Sequence, residues 1–474
     1  MISRNNIWYN LDWITVFLYM ILVVMGWLNI YAAVYNEDHQ SILDMTQRYG
    51  KQLLWILMAA FIAITVLIID SKFYVAFAYV FYGVVILLLI AVLFFGKEVN
   101  GARAWFEIGG FALQPAELGK FATNLAVAKY ISQYNFKMHR FKSLAVLGML
   151  IGVPALLIIA QNDTGSALVY AVFILVFYRE GLSGMFLFWG FAASVLFILT
   201  LIWPEVRLVG FLIFASILAY GIVRQRMKEV AKMIGIFAAI LGVVYLMNYT
   251  VRLSLSTAMI LYIATGISIL IFIIYGIRKR IQPVFWVVLF FVSSLALSRS
   301  VSFAYEDVLV AHQRDRIDEV LGIRSDPLGV GYNVNQSKIA IGSGGVTGKG
   351  FLKGTQTKFN FVPEQSTDFI FCTVGEEWGF LGTSTVIILF MILLIRLLIL
   401  AERQRSRFSR VYGYGVAGIL FFHFAINVGM TIGLVPVIGI PLPFFSYGGS
   451  SLWSFTFLLF IFLRLDASRM EILR

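Results

Sequence analysis

Runs of about 20 apolar residues recur along the whole chain, and each is long enough to cross a bilayer as a helix. In hydrocarbon every backbone N–H and C=O must be satisfied internally, so such runs restrict the chain to a bundle of membrane helices. Candidate spans lie at about 11–34, 52–70, 73–95, 116–132, 143–161, 165–178, 183–203, 206–223, 231–248, 255–276, 282–299, 369–400, 411–435 and 449–464. The fold class expected is an all-α polytopic membrane protein with about 14 spans. Of 474 residues, 60% are hydrophobic and 13% charged, which is too apolar for a soluble domain of this size. The run at 13–34 is long enough to span and lacks a small-residue cleavage site, so it reads as the first helix. A single cysteine, Cys372, excludes an intramolecular disulfide framework.

The net charge of +12 does not point to nucleic acid. The basic residues cluster in short loops: Lys137, Arg140 and Lys142; Arg224, Arg226, Lys228 and Lys232; Arg278, Lys279 and Arg280; Arg403, Arg405, Arg407 and Arg410; Arg464, Arg469 and Arg474. All five fall on one side of the predicted spans. The positive-inside rule makes that side cytoplasmic, with both termini inside. The acidic turn Asn36-Glu37-Asp38-His39 then lies outside. So do the polar intervals 96–115, 300–367 and 436–450, and the chemistry is expected at the outer face.

The 300–367 interval is too long for a plain connection, and long loops in membrane proteins are usually functional. Its Gly342–Gly354 stretch is dense in glycine and carries Lys349 and Lys353. Close-approaching N–H groups and lysines suit a phosphate; a flexible surface loop is the plainer alternative. It is not a nucleotide P-loop, because Ser343 and Gly350 stand where that motif needs Gly and Ser or Thr. In 96–115, Trp105 suits an aromatic belt. Glu117 and Lys120, at i and i+3, could form a structural ion pair or meet a lipid headgroup at the outer face. Asp163 and Gly165 read as a tight turn. The segment IPLPFFSYGGSS is broken by proline and glycine; such backbone at membrane depth needs protein or a water-filled cavity over it, and the segment is expected to line a cavity.

These stretches carry a resemblance. "ARAWFEIGGFALQPAELGK", "QNDTGSAL", "HQRDRI", "DPLGVGYNVNQSKIAIGSGGVTGKGFLKGTQTKFNFVPEQSTDFIF", "EEWGFLG" and "NVGMTIGLVPVIGIPLPFFSYGGSS" resemble the SEDS family, on its rod-shape branch. The likeness implies a ten-helix core with a large outer loop at 300–367, in one integral membrane domain, 1–474. About four extra helices within 183–299 would be an insertion, either packing peripherally or docking a partner. It also implies a peptidoglycan glycosyltransferase of the bacterial cytoplasmic membrane, polymerising lipid II during elongation beside a class B penicillin-binding protein and other elongation complex proteins. The family's essential aspartate falls on Asp368, the candidate general base. Candidate substrate contacts are Arg103, Trp105, Glu117, Lys120, Arg314, Arg316, Gln336, Lys338, Lys349, Lys353, Gln356, Glu364 and Ser446. No cofactor is required and no metal ligand set is visible, although a divalent cation could accompany the diphosphate. The family's QPDLGT reads QNDTGS here, with Asn162 in place of proline, and the turn is expected to survive. A lipid II flippase and a non-catalytic scaffold are the competing readings.

Overall fold

Twelve helices of the computed structural model are long and apolar enough to cross a membrane. Two further expected spans are shorter: Pro115–Ile131, and Thr164–Arg179, which passes through a 3-10 turn at Val169–Val172. The structure describes residues 7–35, 42, 44–99, 101–108, 111–225, 227–252, 254–309, 311–323, 329, 331–359 and 361–469. The acidic turn at 36–39 and the opening of the DPLGVG stretch lie outside these residues. The chain divides into two compact units, Met1–Ser183 with Ser325–Arg474, and Gly184–Arg324.

In the first unit, Pro115–Ile131, Arg407–Thr431 and Gly449–Ala467 are buried on most sides, while Ser71–Phe95 and Phe141–Ala160 show apolar faces to the lipid. Close packing around Pro115–Ile131 demands glycine. A Cβ on Gly415 would sit 1.8 Å from Asn124 Oδ1, whose amide donates to Tyr412 O at 2.9 Å. The interval 96–115, read as a polar loop, folds as an antiparallel meander of β1 (Lys97–Val99), β2 (Ala102–Ile108) and β3 (Phe111–Leu113).

The basic end of this unit is tied down by carboxylates. Asp12 caps the Trp13–Val34 helix through Thr15 N and meets Arg396 Nη2 at 2.5 Å. Burial alone would raise the Asp12 carboxyl, but the bonds from Arg396 and Thr15 outweigh it and hold the group below its usual range. Arg403 meets Asp466 at 2.5 Å, and Arg407 and Arg410 share Glu180 at 3.0 Å.

At the opposite end, the helix Ile370–Glu402 is interrupted at Gly379 (φ 63°, ψ −156°). The break frees the carbonyls of Glu376 and Glu377 and the N–H groups of Phe380 and Leu381. The glycine-dense stretch satisfies all four: Lys349 N and Gly350 N donate to the two carbonyls at 3.0 Å, and Phe380 N and Leu381 N donate to Gly345 O and Val346 O at 2.9 and 3.1 Å.

The second unit packs Gly184–Ile202, Glu205–Arg224, Met227–Val251, Thr257–Arg278 and Gln282–Phe303 around Leu208, Leu212 and Phe291. The last helix runs on through a π-turn at Ala304–Val308 to Ala311–Leu321. The 300–367 interval is therefore helical in part, and Tyr332–Ser343 adds another helix in the first unit.

Glu376 is fully buried and accepts from Thr355 N, Gln356 N and Thr357 N at 2.7–2.9 Å, and from Lys349 Nζ at 2.7 Å. Removing one partner of a buried pair leaves an uncompensated charge, so Glu376→Ala is expected to cost about 3–5 kcal/mol. A fluorescence-detected melt of the detergent-solubilised chain should show the midpoint fall, and Glu376→Gln, which keeps an acceptor oxygen, should lose less. An unchanged midpoint for the alanine variant would mean the loop does not depend on this carboxylate.

Candidate functional site

Asp368 lies half-buried in the turn that leads into Ile370–Glu402. Three successive carbonyls hold that turn against the irregular 432–448 segment and its helix. Tyr447 N donates to Ser366 O at 2.8 Å, Ser446 Oγ to Thr367 O at 2.6 Å, and Asn427 Nδ2 to Asp368 O at 2.9 Å. Arg48 braces the same turn, donating to Ser366 Oγ at 2.7 Å and standing 3.5 Å from Glu364. The main chain is fixed from several directions, and the side chain extends toward the 432–448 segment. Asp368 Oδ2 is 3.6 Å from where a Cβ on Gly439 would lie.

That segment answers the rule for irregular backbone at membrane depth: protein covers it and meets its polar groups. Asn427 Nδ2 also donates to Ile440 O at 2.7 Å, Leu442 N donates to Ser446 Oγ at 2.9 Å, and Gly448 N donates to Gln52 Oε1 at 3.1 Å. Gly433 (φ 76°) and Gly439 (φ 71°) take left-handed turns there. Lys338, on Tyr332–Ser343, crosses Gly433, where a Cβ would come within 2.5 Å of Nζ. Ser337 of the same helix donates to Thr431 O at 2.9 Å. Asp368 and exposed Lys338 thus flank one stretch of backbone, 433–439.

Several expected contacts take other work. Of the expected phosphate cradle, Lys349 Nζ is taken by the Glu376 carboxylate, Lys349 N and Gly350 N by the carbonyls of Glu376 and Glu377, and Leu352 N by the Glu377 carboxylate; Gln356 N donates to the same Glu376 oxygen as Lys349 Nζ. Ser446 is buried with its hydroxyl both donating and accepting, so it is a brace for the turn and has no surface to offer a ligand. Glu117 and Lys120 do pair, at 2.7 Å, but both are buried, so a headgroup contact at the outer face is excluded. Lys120 Nζ also lies 3.0 Å from His423 Nε2. An ammonium only donates, so Nε2 accepts and the His423 proton sits on Nδ1, which donates to Pro441 O at 3.2 Å. This chain links Pro115–Ile131 to the 432–448 segment.

Gly165 lies inside the short helix Thr164–Leu168, not at a left-handed turn. It is needed for close approach, since a Cβ there would be 2.2 Å from Ile438 O. Asp163 caps that helix through Ser166 N at 3.0 Å and accepts from Gln114 Nε2 at 2.8 Å. Asn162 has φ 64°, a conformation closed to proline, so the departure from QPDLGT comes with a different local backbone. Arg103 is exposed on β2, 3.9 Å from Glu98, and Trp105 is half-buried opposite Lys97. Glu364 is exposed, accepts from Thr367 Oγ1 and has φ 53°. Gln336 is half-exposed, two residues before Lys338 and so on a different face of Tyr332–Ser343, and Lys353 is exposed beside Gly350. Arg314 and Arg316 lie on Ala311–Leu321 of the second unit. Sequence reasoning missed Arg48, His423 and Asn427. The last two were visible as polar residues at i and i+4 inside an apolar span, a pattern that marks function in a membrane helix.

The family profile of the FtsW/RodA/SpoVE cell cycle proteins matches residues 12–212 and 204–471. Peptidoglycan glycosyltransferase RodA of Treponema pallidum is 31% identical over 444 residues, 94% of this chain and 94% of the relative. Peptidoglycan glycosyltransferase MrdB of Escherichia coli K12 is 31% identical over 435 residues, 91% of this chain and 88% of the relative. Among solved structures, a chain of a peptidoglycan synthase complex that coordinates polymerization and crosslinking superposes with a TM-score of 0.62 at 25% identity, covering 98% of this chain and 99% of the other. The rod shape determining protein RodA of Thermus thermophilus shares the fold, with a TM-score of 0.56 at 22% identity over 98% of each chain. The chain is a multi-pass bacterial inner-membrane protein and belongs to the FtsW/RodA/SpoVE family, the SEDS proteins its motifs resemble.

Proposed function

We propose that this protein is a peptidoglycan glycosyltransferase that polymerises lipid II at the outer face of the membrane, with Asp368 as general base. The observation that carries the assignment of the base is the mounting of Asp368: a half-buried carboxylate on a clamped turn, beside backbone that exposed Lys338 also borders. In the reaction, Asp368 accepts the proton of the acceptor sugar's 4-hydroxyl as that oxygen attacks C1 of the donor sugar. The new C1–O bond forms as the bond to the lipid diphosphate breaks. A single displacement on an α-linked donor inverts C1 and gives a β-1,4 strand. The departing diphosphate needs cationic or N–H donors but no proton. Lys338 and exposed Lys353 supply charge for it, with Arg103, Trp105 and Gln336 as outer contacts and Arg314 and Arg316 as candidates from the second unit.

The relatives at 31% identity support the activity by name, and the likeness to a synthase complex supports a penicillin-binding protein as partner. About four of the helices within 183–299 are read as an insertion of extra spans, a reading supported by the packing of Gly184–Arg324 as a unit of its own. The basic end of the first unit faces the cytoplasm in this reading and the Asp368 end faces outside. Cys372 is buried, so introduced thiols report topology cleanly. In intact cells an impermeant maleimide should label Lys353→Cys, and it should label Arg405→Cys only after permeabilisation; the reverse pattern would invert the topology.

Polymerisation of labelled lipid II by the purified chain with its class B penicillin-binding protein tests the base. Asp368→Asn should fold normally and lose roughly 10²–10⁴-fold in rate, the usual share of a general base. Retained polymerisation would sink the assignment. Lipid II crossing reconstituted bilayers without polymer from the native chain would favour a flippase instead, and neither polymer nor transport from the native chain, with Asp368→Ala still supporting growth, would favour a scaffold. Kinetics of two further variants separate roles. Lys338→Ala should raise KM and lower kcat, with Lys338→Arg restoring part of both. Asn427→Ala loosens the turn and should lower kcat by about 10-fold at unchanged KM, because small misplacements of a reacting group are costly.

A further inference from the structure

The second unit holds a cavity of about 360 Å³ that the reaction above does not use. Glu205–Arg224, Met227–Val251, Thr257–Arg278 and Gln282–Phe303 enclose it, with Ile213, Ile217, Phe237, Ile269, Phe272 and Phe291 in its wall. One water needs only about 10–15 Å³, so the space would admit many, but each needs two to four polar partners. The wall's Ser and Thr hydroxyls already donate within their own helices: Ser216 to Leu212 O at 2.7 Å, Thr265 to Leu261 O at 2.6 Å and Ser268 to Ala264 O at 2.7 Å. The occupant is therefore apolar.

One end of the cavity is polar. Tyr220 donates to Glu229 Oε2 at 2.9 Å, and Lys232 completes the rim. Lys232 is exposed and makes no ion pair among the described residues. Arg224 ends its helix on the same turn, with Nε buried and lacking a hydrogen-bond partner. The lining residues come from the C-terminal halves of Glu205–Arg224 and Thr257–Arg278 and the N-terminal halves of Met227–Val251 and Gln282–Phe303, and Arg278, Lys279 and Arg280 add charge at this end. Glu229 is the one acidic side chain in the lining. An apolar slot that opens at a cationic rim complements a lipid with a negative headgroup.

We propose that this cavity is a binding site for an anionic phospholipid, one acyl chain in the slot and the headgroup phosphate at Lys232 and Arg224. The test reconstitutes the full chain in phosphatidylcholine vesicles containing phosphatidylglycerol with a diazirine near the end of one acyl chain. After illumination, cross-links are mapped by peptide mass spectrometry. Label should concentrate on 213–237 and 265–272, and unlabelled phosphatidylglycerol should compete where phosphatidylcholine does not. Lys232→Ala should lower the label about 5-fold, as expected for one basic residue at an anionic headgroup. Lys232 is exposed, so this variant does not put folding at risk; Ser268→Phe, which fills the slot, should abolish the label. Label spread evenly over lipid-facing positions such as Tyr249 and Trp286 would overturn the proposal. So would equal labelling by a phosphatidylcholine analogue, or no change in Lys232→Ala.

Discussion

A membrane helix cannot be interrupted without leaving backbone groups to be met, and each one left unmet in hydrocarbon costs several kcal/mol. The break at Gly379 is the constraint on which the rest of the first unit depends. Its cure is a second piece of backbone laid directly on the first. A Cβ on Gly344 would lie 2.0 Å from Gly375 O, one on Gly348 2.1 Å from Glu377 O, and one on Gly379 2.4 Å from Gly348 N. The glycine density of the long interval is thus a requirement of main chain packed on main chain. The same contact brings the N–H groups of 355–357 around Glu376, and that anion draws in Lys349. Break, glycine loop and buried carboxylate form one cooperative device.

Asp368 inherits its rigidity from this device. It stands eight residues before Glu376, at the entry to the braced helix, and its own turn is sewn to Asn427, Ser446 and Tyr447 on the other side. The 432–448 segment in turn is located from beneath by the Lys120–His423–Pro441 chain. A carboxylate that must meet a hydroxyl in a productive geometry gains from such bracing, because orientation is a large part of the barrier. In the proposed reading, the apolar bundle below serves as a mount for that acid at the membrane edge.

The spans were legible because apolar length is a signal that survives without any tertiary information. The positions of Asp368, Asp163 and the broken 432–448 segment were legible too, since polar or helix-breaking residues beside apolar runs need a reason. The occupant of the glycine-lysine loop was not. Nothing local in GVTGKGFLKGTQT distinguishes a cradle for a ligand's phosphate from a cradle for the chain's own carboxylate 20 residues on. That choice is made by the fold, at Gly379. Lys120 failed in the same way: an i, i+3 pair looks alike at a surface and in a core, and its depth is set by Gly415, His423 and Phe455 from distant helices. The small sheet at 97–113 was hidden because its strands are short, two of them only three residues long.

The fate of the cations shows why counting positive charge overstates a binding site. A lysine or arginine that already neutralises a buried carboxylate is not available to a substrate, since drawing it away would uncover the charge it covers. Lys349 is held by Glu376, Lys120 by Glu117, Arg396 by Asp12 and Arg403 by Asp466. Exposed cations without such a partner can change position at little cost, and they suit a diphosphate that gains charge only as its bond breaks. Lys338 and Lys353 are of this kind in the first unit, and Lys338 alone is placed against the backbone that Asp368 faces. On the proposed mechanism, the demand for one fixed acid and a yielding cation is met by two opposite treatments of charge on either side of the same short segment.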